Sequence, residues 1–305
     1  MTEAVLRVFR RFPAIQPYSL IFFALLTLVL FFLLPLLIML LYSFAQRDTY
    51  GGIAAIDNLG NYVSSMQWVS NYVRSMDPIY IEIYWRSLIM AVFTTVLCLV
   101  IGYPMAYFIS LKIKPERKSL MLTFVVIPFW TSFLIRTYAW IIILRSEGLI
   151  NHMLLSMGLI NDPIETLLYS QFAVMIGLVY GELPFMILPL YASIEKLDLS
   201  LLEAAGDLGA SPFWTFLKVT VPLTMPGIVA GIVLVFIPTL GQFIVPDLLG
   251  GAKSILVGNV IQNQFVIARD KPFGSAICFG LTAFVLVLLA MYARYTVRKE
   301  KEVFA

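Results

Sequence analysis

Twenty-seven consecutive residues, Tyr18–Phe44, carry no charge. A helix of about 20 apolar residues crosses a bilayer, and this run exceeds that length. Five further apolar stretches are long enough to do the same: Ser87–Leu111, Leu120–Leu144, Phe172–Tyr191, Val219–Phe243 and Phe273–Tyr292. Only Arg136 in the third and Glu182 in the fourth interrupt them with a charge. Lipid cannot satisfy open backbone groups, and such runs are far too long for barrel strands, so each must be a helix. The expected architecture is all-α and integral to a membrane. It comprises a short segment 1–17, a six-span domain over residues 18–292 and a tail 293–305.

Composition closes off the rivals. Apolar residues make up 60% of the chain and charged residues 13%; soluble domains run at about 45–50% and 25%. A net charge of +3 provides no polybasic domain for nucleic acid. Cys98 and Cys278 lie inside apolar runs and read as small packing residues rather than a disulfide. Arg7, Arg10 and Arg11 precede the first run, as in a signal peptide. That run is much longer than a 7–15-residue signal core, and no small-x-small site follows, so it reads as a retained span.

Basic residues orient the chain. The N-terminus, loop 112–119, loop 192–218 and the tail hold thirteen Lys/Arg; the longer loops 45–86, 145–171 and 244–272 hold seven. The first set is expected to be cytoplasmic, with both termini inside. In loop 45–86, Asp77-Pro78 predicts an N-cap and first-turn proline, and Ile79–Trp85 an interfacial elbow helix. In loop 244–272, Ile255–Ile267 is too short to span and is expected to be re-entrant or to lie flat.

The strongest local pattern lies between the fourth and fifth spans. Ser200 and Glu203 have capping-box spacing. Leu201, Ala204 or Ala205, and Leu208 follow at helical spacing, with Glu203 and Asp207 on a more polar side. Gly209 suits the left-handed position that ends a helix, and Ser211-Pro212 starts another. From pattern alone this is a capped connector: a short helix, a glycine turn and a second helix.

Glu203-Ala204-Ala205-x3-Gly209-x9-Val219-x-Val221-Pro222 resembles the EAA loop of ABC importer permeases, with Val219 and Val221 in place of the family's Ile and Leu. The resemblance continues in Pro128–Tyr138, Leu183–Met186, Pro189–Tyr191, Ile194–Asp198, Gly250–Ser254, Gly258–Ile261 and Arg269–Gly274, which are similar to permeases of spermidine/putrescine importers. It implies a six-helix type I ABC importer transmembrane domain in a bacterial inner membrane. It also implies a cytoplasmic coupling helix whose Leu201, Glu203, Ala204, Ala205, Leu208 and Gly209 engage an ABC ATPase dimer. A second permease subunit, usually a different chain, and an extracytoplasmic polyamine-binding protein complete the implied assembly. Related permeases carry opines, aminophosphonates or ferric iron, and these remain alternative cargoes.

The chain is expected to bind no cofactor itself. Gly251-Ala-Lys-Ser254 lacks the glycine that a phosphate-binding loop places directly before lysine, and it lies in an outer loop. ATP hydrolysis therefore falls to a partner. His152, the only histidine, sits in an outer loop and reads as solvated. No His/Cys cluster or Gly-x-Ser-x-Gly elbow supports an intramembrane enzyme. An ion-coupled secondary transporter would leave the EAA loop unexplained, and the chain has no evident internal repeat.

Two kinds of residue remain as pathway candidates. Arg136 and Glu182 lie roughly 12 and 15 Å from the outer ends of their spans, so they could meet. One reading is an ion pair fixing two helices; the other places Glu182 on the route of a cationic substrate. Phe129, Trp130, Tyr138, Trp140 and Tyr180 crowd the same level. They serve either as packing and interfacial residues or as weak cation contacts. Gly177…Gly181 and Gly227…Gly231 offer close helix approach, and prolines such as Pro104, Pro128, Pro184, Pro189 and Pro238 offer kinks.

Overall fold

The computed structural model describes residues 15–48, 51–54, 62–63 and 65–303. Most of the expected segment 1–17 therefore lies outside the described residues, as do parts of loop 45–86. In chain order the helices are α1 (Ile15–Leu28), α2 (Leu34–Ser43), α3 (Ser70–Ser75), α4 (Pro78–Leu111), α5 (Pro115–Trp130), α6 (Phe133–Leu144) and α7 (Leu149–Ser156). They continue as α8 (Gln171–Ile194), α9 (Leu199–Asp207), α10 (Pro212–Thr215), α11 (Val221–Leu223), α12 (Met225–Gly241), α13 (Val257–Val266) and α14 (Lys271–Val303). Among the described residues the only extended pairing is an isolated bridge between Arg47 and Ile53. Four helices are each long and apolar enough to cross a membrane: Ile21–Ser43, Pro78–Leu111, Gln171–Ile194 and Lys271–Tyr292. Two bent pairs, Pro115–Trp130 with Phe133–Ser156 and Pro212–Leu223 with Met225–Gly241, bring the total to six if each counts as one span.

The chain forms two compact units, Met1–Asp77 with Asn263–Ala305, and Pro78–Gln262. In the first, α14 packs against α2 and α3. Asn71 donates to the carbonyls of Ser43 and Ala45 at 3.0 and 2.7 Å, satisfying backbone acceptors released where α2 ends. Buried Asp270 accepts from the backbone of Phe273 and pairs with Arg74 at 2.7 Å, while the Arg74 guanidinium lies 3.9 Å over the Phe273 ring.

In the second unit α8 is central and packs against both α4 and α12. Cys98, Met186, Ile187, Leu190 and Val235 form one buried cluster; Met90, Leu144, Val174, Leu178 and Leu249 belong to another. Both cysteines are free thiols. Close approach of α8 and α12 depends on small residues. A Cβ at Gly227 would lie 2.4 Å from the Ser193 Cβ and 2.7 Å from the Pro189 carbonyl oxygen.

Three expectations about helices need correction. The elbow at Ile79–Trp85 is not a separate helix: α4 runs unbroken from Pro78, and Arg86 pairs with Glu82 one turn back at 2.6 Å. Nothing between Pro78 and Ser87 breaks the helix, so amphipathic and apolar parts join. The stretch Leu120–Leu144 is not one rod: Pro115–Trp130 and Phe133–Ser156 are bent by 88° at the break between α5 and α6. Thr131 and Ser132 adopt extended backbone there, and the Thr131 hydroxyl donates to the Pro128 carbonyl at 2.7 Å. The fifth stretch likewise bends by 68° at Thr224.

Two widened π turns have a common cause. Val29–Leu33 and Phe216–Thr220 each end two residues before a proline, Pro35 and Pro222. A proline ring clashes with the carbonyl four residues back, which falls inside each π turn, and the wider winding accommodates it. Within Ile255–Ile267 the helix α13 covers Val257–Val266, and its first turn is buried. Asn259 ties it down, donating to the Phe243 carbonyl at 2.8 Å and to Asp247 at 3.0 Å. The Val257 amide donates to Ser87 on α4.

Gly227→Val should therefore force α8 and α12 apart and cost roughly 1–3 kcal/mol, as overpacking does. Gly181→Ala should be tolerated, since the only neighbour of a Cβ there is Phe133 at 4.0 Å. Thermal unfolding of the purified variants in detergent checks both.

Candidate functional site

Helix α9 is short, and its ends are fixed by its own sequence. Asp198 is the N-cap and accepts from the Ser200 amide at 3.0 Å. The expected capping box at Ser200 and Glu203 is thus displaced: the helix starts before Ser200, which lies in its first turn. Asp198 wins because a carboxylate caps as well as a hydroxyl does and also complements the positive helix N-terminus. Hydrogen bonds from the Ser200 hydroxyl and amide hold its carboxyl below the usual range.

At the other end Gly209 has φ +83°. The Ala210 amide donates to Ala205 at 3.0 Å and the Gly209 amide to Gly206 at 2.9 Å, the paired bonds of a Schellman turn. Leu202 and Ala205 face inward and are half-buried, whereas Glu203 and Ala204 are exposed. Leu201 is 45% exposed and Leu208 89%. Leu201, Ala204 and Leu208 thus form an apolar stripe at helical spacing that stays exposed among the described residues.

The second candidate cluster lies around the α5–α6 break. Arg136 stands just beyond it, and its guanidinium lies 5.0 Å from the Phe129 ring on α5 and 5.7 Å from the Phe133 ring on α6. Phe129 packs edge-on against Phe185 of α8 at 5.0 Å. Glu182 on α8 is buried, 7% exposed. Its Oε2 has no hydrogen-bond partner among the described residues, and neither do Nε and Nη1 of Arg136. The two charges are near enough to act on one another but do not form an ion pair within 4.0 Å. The expected contact is therefore an unclosed approach, because aromatic faces hold the guanidinium in place of the carboxylate.

Tyr180, two residues before Glu182 on α8, packs on Trp140 of α6 at 5.6 Å. Trp130 and Tyr138 do not join the cluster: they are 82% and 53% exposed. Phe133 and Phe185 were not singled out in the sequence. Phe133 sits three residues before Arg136, one helical turn away, and that spacing was the available signal. His152 is exposed on α7, and no group of three potential metal-binding side chains occurs among the described residues.

Comparison with known proteins decides the family. Residues 99–300 match the model of the binding-protein-dependent transport system inner membrane component. The chain belongs to that family. The permease is 48% identical over 267 residues to the spermidine/putrescine transport system permease protein PotB of Haemophilus influenzae, covering 88% of this chain and 89% of that one. It is 46% identical to PotB of Escherichia coli over the same share of this chain and 93% of that protein. The inner membrane ABC transporter permease protein YdcU of Escherichia coli is 32% identical, covering 81% of this chain and 80% of its own. Among solved structures, a chain of the bacterial alginate ABC transporter in complex with alginate pentasaccharide-bound periplasmic protein superposes with a TM-score of 0.63 at 16% identity. That match covers 93% of the permease and 95% of the alginate chain. The fold is that of a type I ABC permease, all-helical and multi-pass in the inner membrane.

The cap assignment at α9 has a direct check. Asp198→Ala should raise amide exchange at Ser200 and Leu201 severalfold, whereas Ser200→Ala, which removes no acceptor at the cap, should have a much smaller effect. Hydrogen-exchange mass spectrometry over residues 199–207 distinguishes the two.

Proposed function

We propose that the permease is one of two transmembrane subunits of an ATP-driven importer for spermidine and putrescine. One observation carries the mechanism: α9 is capped at both ends, yet exposes an apolar stripe of Leu201, Ala204 and Leu208. A rigid helix with an uncovered apolar face suits a cleft on another protein. That protein is a separate ATPase, acting as a dimer with one copy for each permease subunit. ATP-driven closure of the dimer presses on α9, and the movement passes through α10 and α11 to the bend at Thr224. Glu203 and Asp207 lie at the rim of the contact. The chain binds no cofactor and carries out no hydrolysis itself; the ATP is held by the partner.

The substrate class rests on the two spermidine/putrescine permeases at 46–48% identity, and the buried cluster suits it. A polyamine offers ammonium groups separated by methylenes. Glu182 supplies one buried carboxylate with a free oxygen, and Phe129, Phe133, Phe185 and Tyr180 supply aromatic surface at about 0.5–2 kcal/mol per cation contact. A conduit must release what it binds, so several weak contacts serve better than a deep acidic site. Trp130 and Tyr138, exposed in the single chain, face lipid or the second permease. An extracytoplasmic binding protein delivers the polyamine at the face opposite α9, and both termini lie in the cytoplasm.

Proteoliposomes containing the permease, its second subunit, the ATPase and the binding protein should take up labelled spermidine only with ATP. Uptake driven by an ion gradient without ATP would overturn the proposal. Glu182→Gln should lower uptake at least tenfold while leaving complex assembly intact; normal uptake would remove Glu182 from the pathway. Gly209→Val should uncouple ATP hydrolysis from uptake, because an L-residue at positive φ costs about 1–2 kcal/mol. A Cβ there meets nothing within 4 Å, so the defect would come from the backbone. Gly209→Asn, which tolerates this conformation, should retain most of the coupling.

A further inference from the structure

One apolar groove of the second unit lies apart from α9 and from the cluster around Glu182. It measures about 580 Å³ and lies between the C-terminal half of α4 and the segment leading into α12. Val100, Pro104 and Phe108 form one wall; Phe216, Val221 and Ile228 form the other. The walls are fixed. Phe216 packs edge-on against Tyr103 at 5.3 Å and Tyr107 at 5.9 Å, and the Tyr103 hydroxyl is bound to Thr224 at 2.7 Å. With that hydroxyl occupied, the interior offers hydrocarbon rather than polar groups. Val100 is 62% exposed and Phe108 55%, so the groove opens on an apolar face.

One charged residue lines it: Lys112, exposed and one residue beyond the end of α4. Lys112 makes no ion pair or side-chain hydrogen bond among the described residues, nor do Lys114 and Arg117 beside it. Lys118 differs, being held by Glu195 at 2.9 Å. Lys218, two residues after Phe216, is also engaged, lying 4.7 Å over the Trp214 ring. A hydrocarbon slot with the unpaired cation of Lys112 at its mouth is the complement of an acyl chain ending in an anionic headgroup. Its volume falls in the range of small-ligand sites.

We propose that this groove binds an anionic phospholipid, with one acyl chain between α4 and Phe216–Ile228 and its phosphate at Lys112. The bound lipid fills the wedge beside the Tyr103–Thr224 bond and so buttresses the bend through which α9 is joined to α12. The site requires only that the chain lie in a membrane; it is independent of the cargo.

The test uses the purified, assembled transporter. Native mass spectrometry follows lipid retention after exposure to equimolar phosphatidylglycerol and phosphatidylethanolamine with identical acyl chains. The wild type should retain phosphatidylglycerol preferentially. Lys112→Gln should reduce that retention about fivefold, the effect of one basic residue near an anionic lipid, and leave phosphatidylethanolamine unchanged. Val100→Trp should lower retention of both by filling the slot. Should that variant fail to assemble, Lys112→Gln, at an exposed position, decides alone. An unchanged lipid preference in Lys112→Gln would overturn the proposal. So would a photo-cross-linking amino acid at Val100 that captures the second permease rather than lipid, since the groove would then be closed by protein.

Discussion

A backbone carbonyl in hydrocarbon has no water to turn to, so each place where a spanning helix bends must supply its own donor. The permease uses threonine. At the first sharp bend the Thr131 hydroxyl donates to the Pro128 carbonyl; at the second the Thr224 hydroxyl reaches the Val221 carbonyl at 3.2 Å and, at 2.8 Å, reinforces the Thr224 amide on the Thr220 carbonyl. Elsewhere Thr95, Thr137, Thr239 and Thr282 return their hydroxyls to the carbonyl four residues back, so they add no unsatisfied polar group to an apolar helix. Proline alone does not decide where a helix breaks. Pro104, Pro184, Pro189 and Pro238 all lie inside continuous helices.

The two bends bear on both candidate sites. The break between α5 and α6 places Phe129, before it, and Phe133, after it, around the same guanidinium. On a straight helix they would occupy adjoining turns of one face. The bend at Thr224 separates the segment carrying α9 from α12, and the Tyr103 hydroxyl fixes it to α4. Between α9 and α12 there is therefore a joint anchored by a hydrogen bond and by packing around Phe216, rather than a loose linker.

The legible part of the sequence was whatever depends on single residues or on length. Uncharged runs announced membrane helices, Gly209 announced the end of α9, and Glu203-Ala-Ala with that glycine announced the family. Bends were harder to read, because they depend on one or two residues leaving helical backbone, Thr131-Ser132 at the first and Thr224 at the second, while a hydroxyl takes up a nearby carbonyl. Nothing in Thr131-Ser132 alone distinguishes it from threonine and serine that remain helical. The capping box failed for a related reason: Asp198 and Ser200 are both competent caps, and only the position of the preceding chain selects between them. Aromatic residues in an apolar helix were least legible. Trp130 and Phe129 are neighbours in sequence, yet one is largely exposed and the other packs with Phe185 and Arg136.

The unclosed approach of Arg136 and Glu182 bears on the choice between a structural clasp and a route. A buried clasp offsets the desolvation of its charges only when geometry is close and the remaining donors and acceptors are satisfied. Here neither condition holds within one chain: the charges stay beyond pairing distance, and atoms of both are buried without partners. The aromatic faces of Phe129 and Phe133 offset part of the cost for the guanidinium but nothing for the carboxylate, which aromatic faces do not attract. The acidic member is thus the one left in need of a cation. A passing ammonium or a group from the second permease would each meet that need, and Arg136, held by aromatic rings instead of by Glu182, need not be displaced for either to do so.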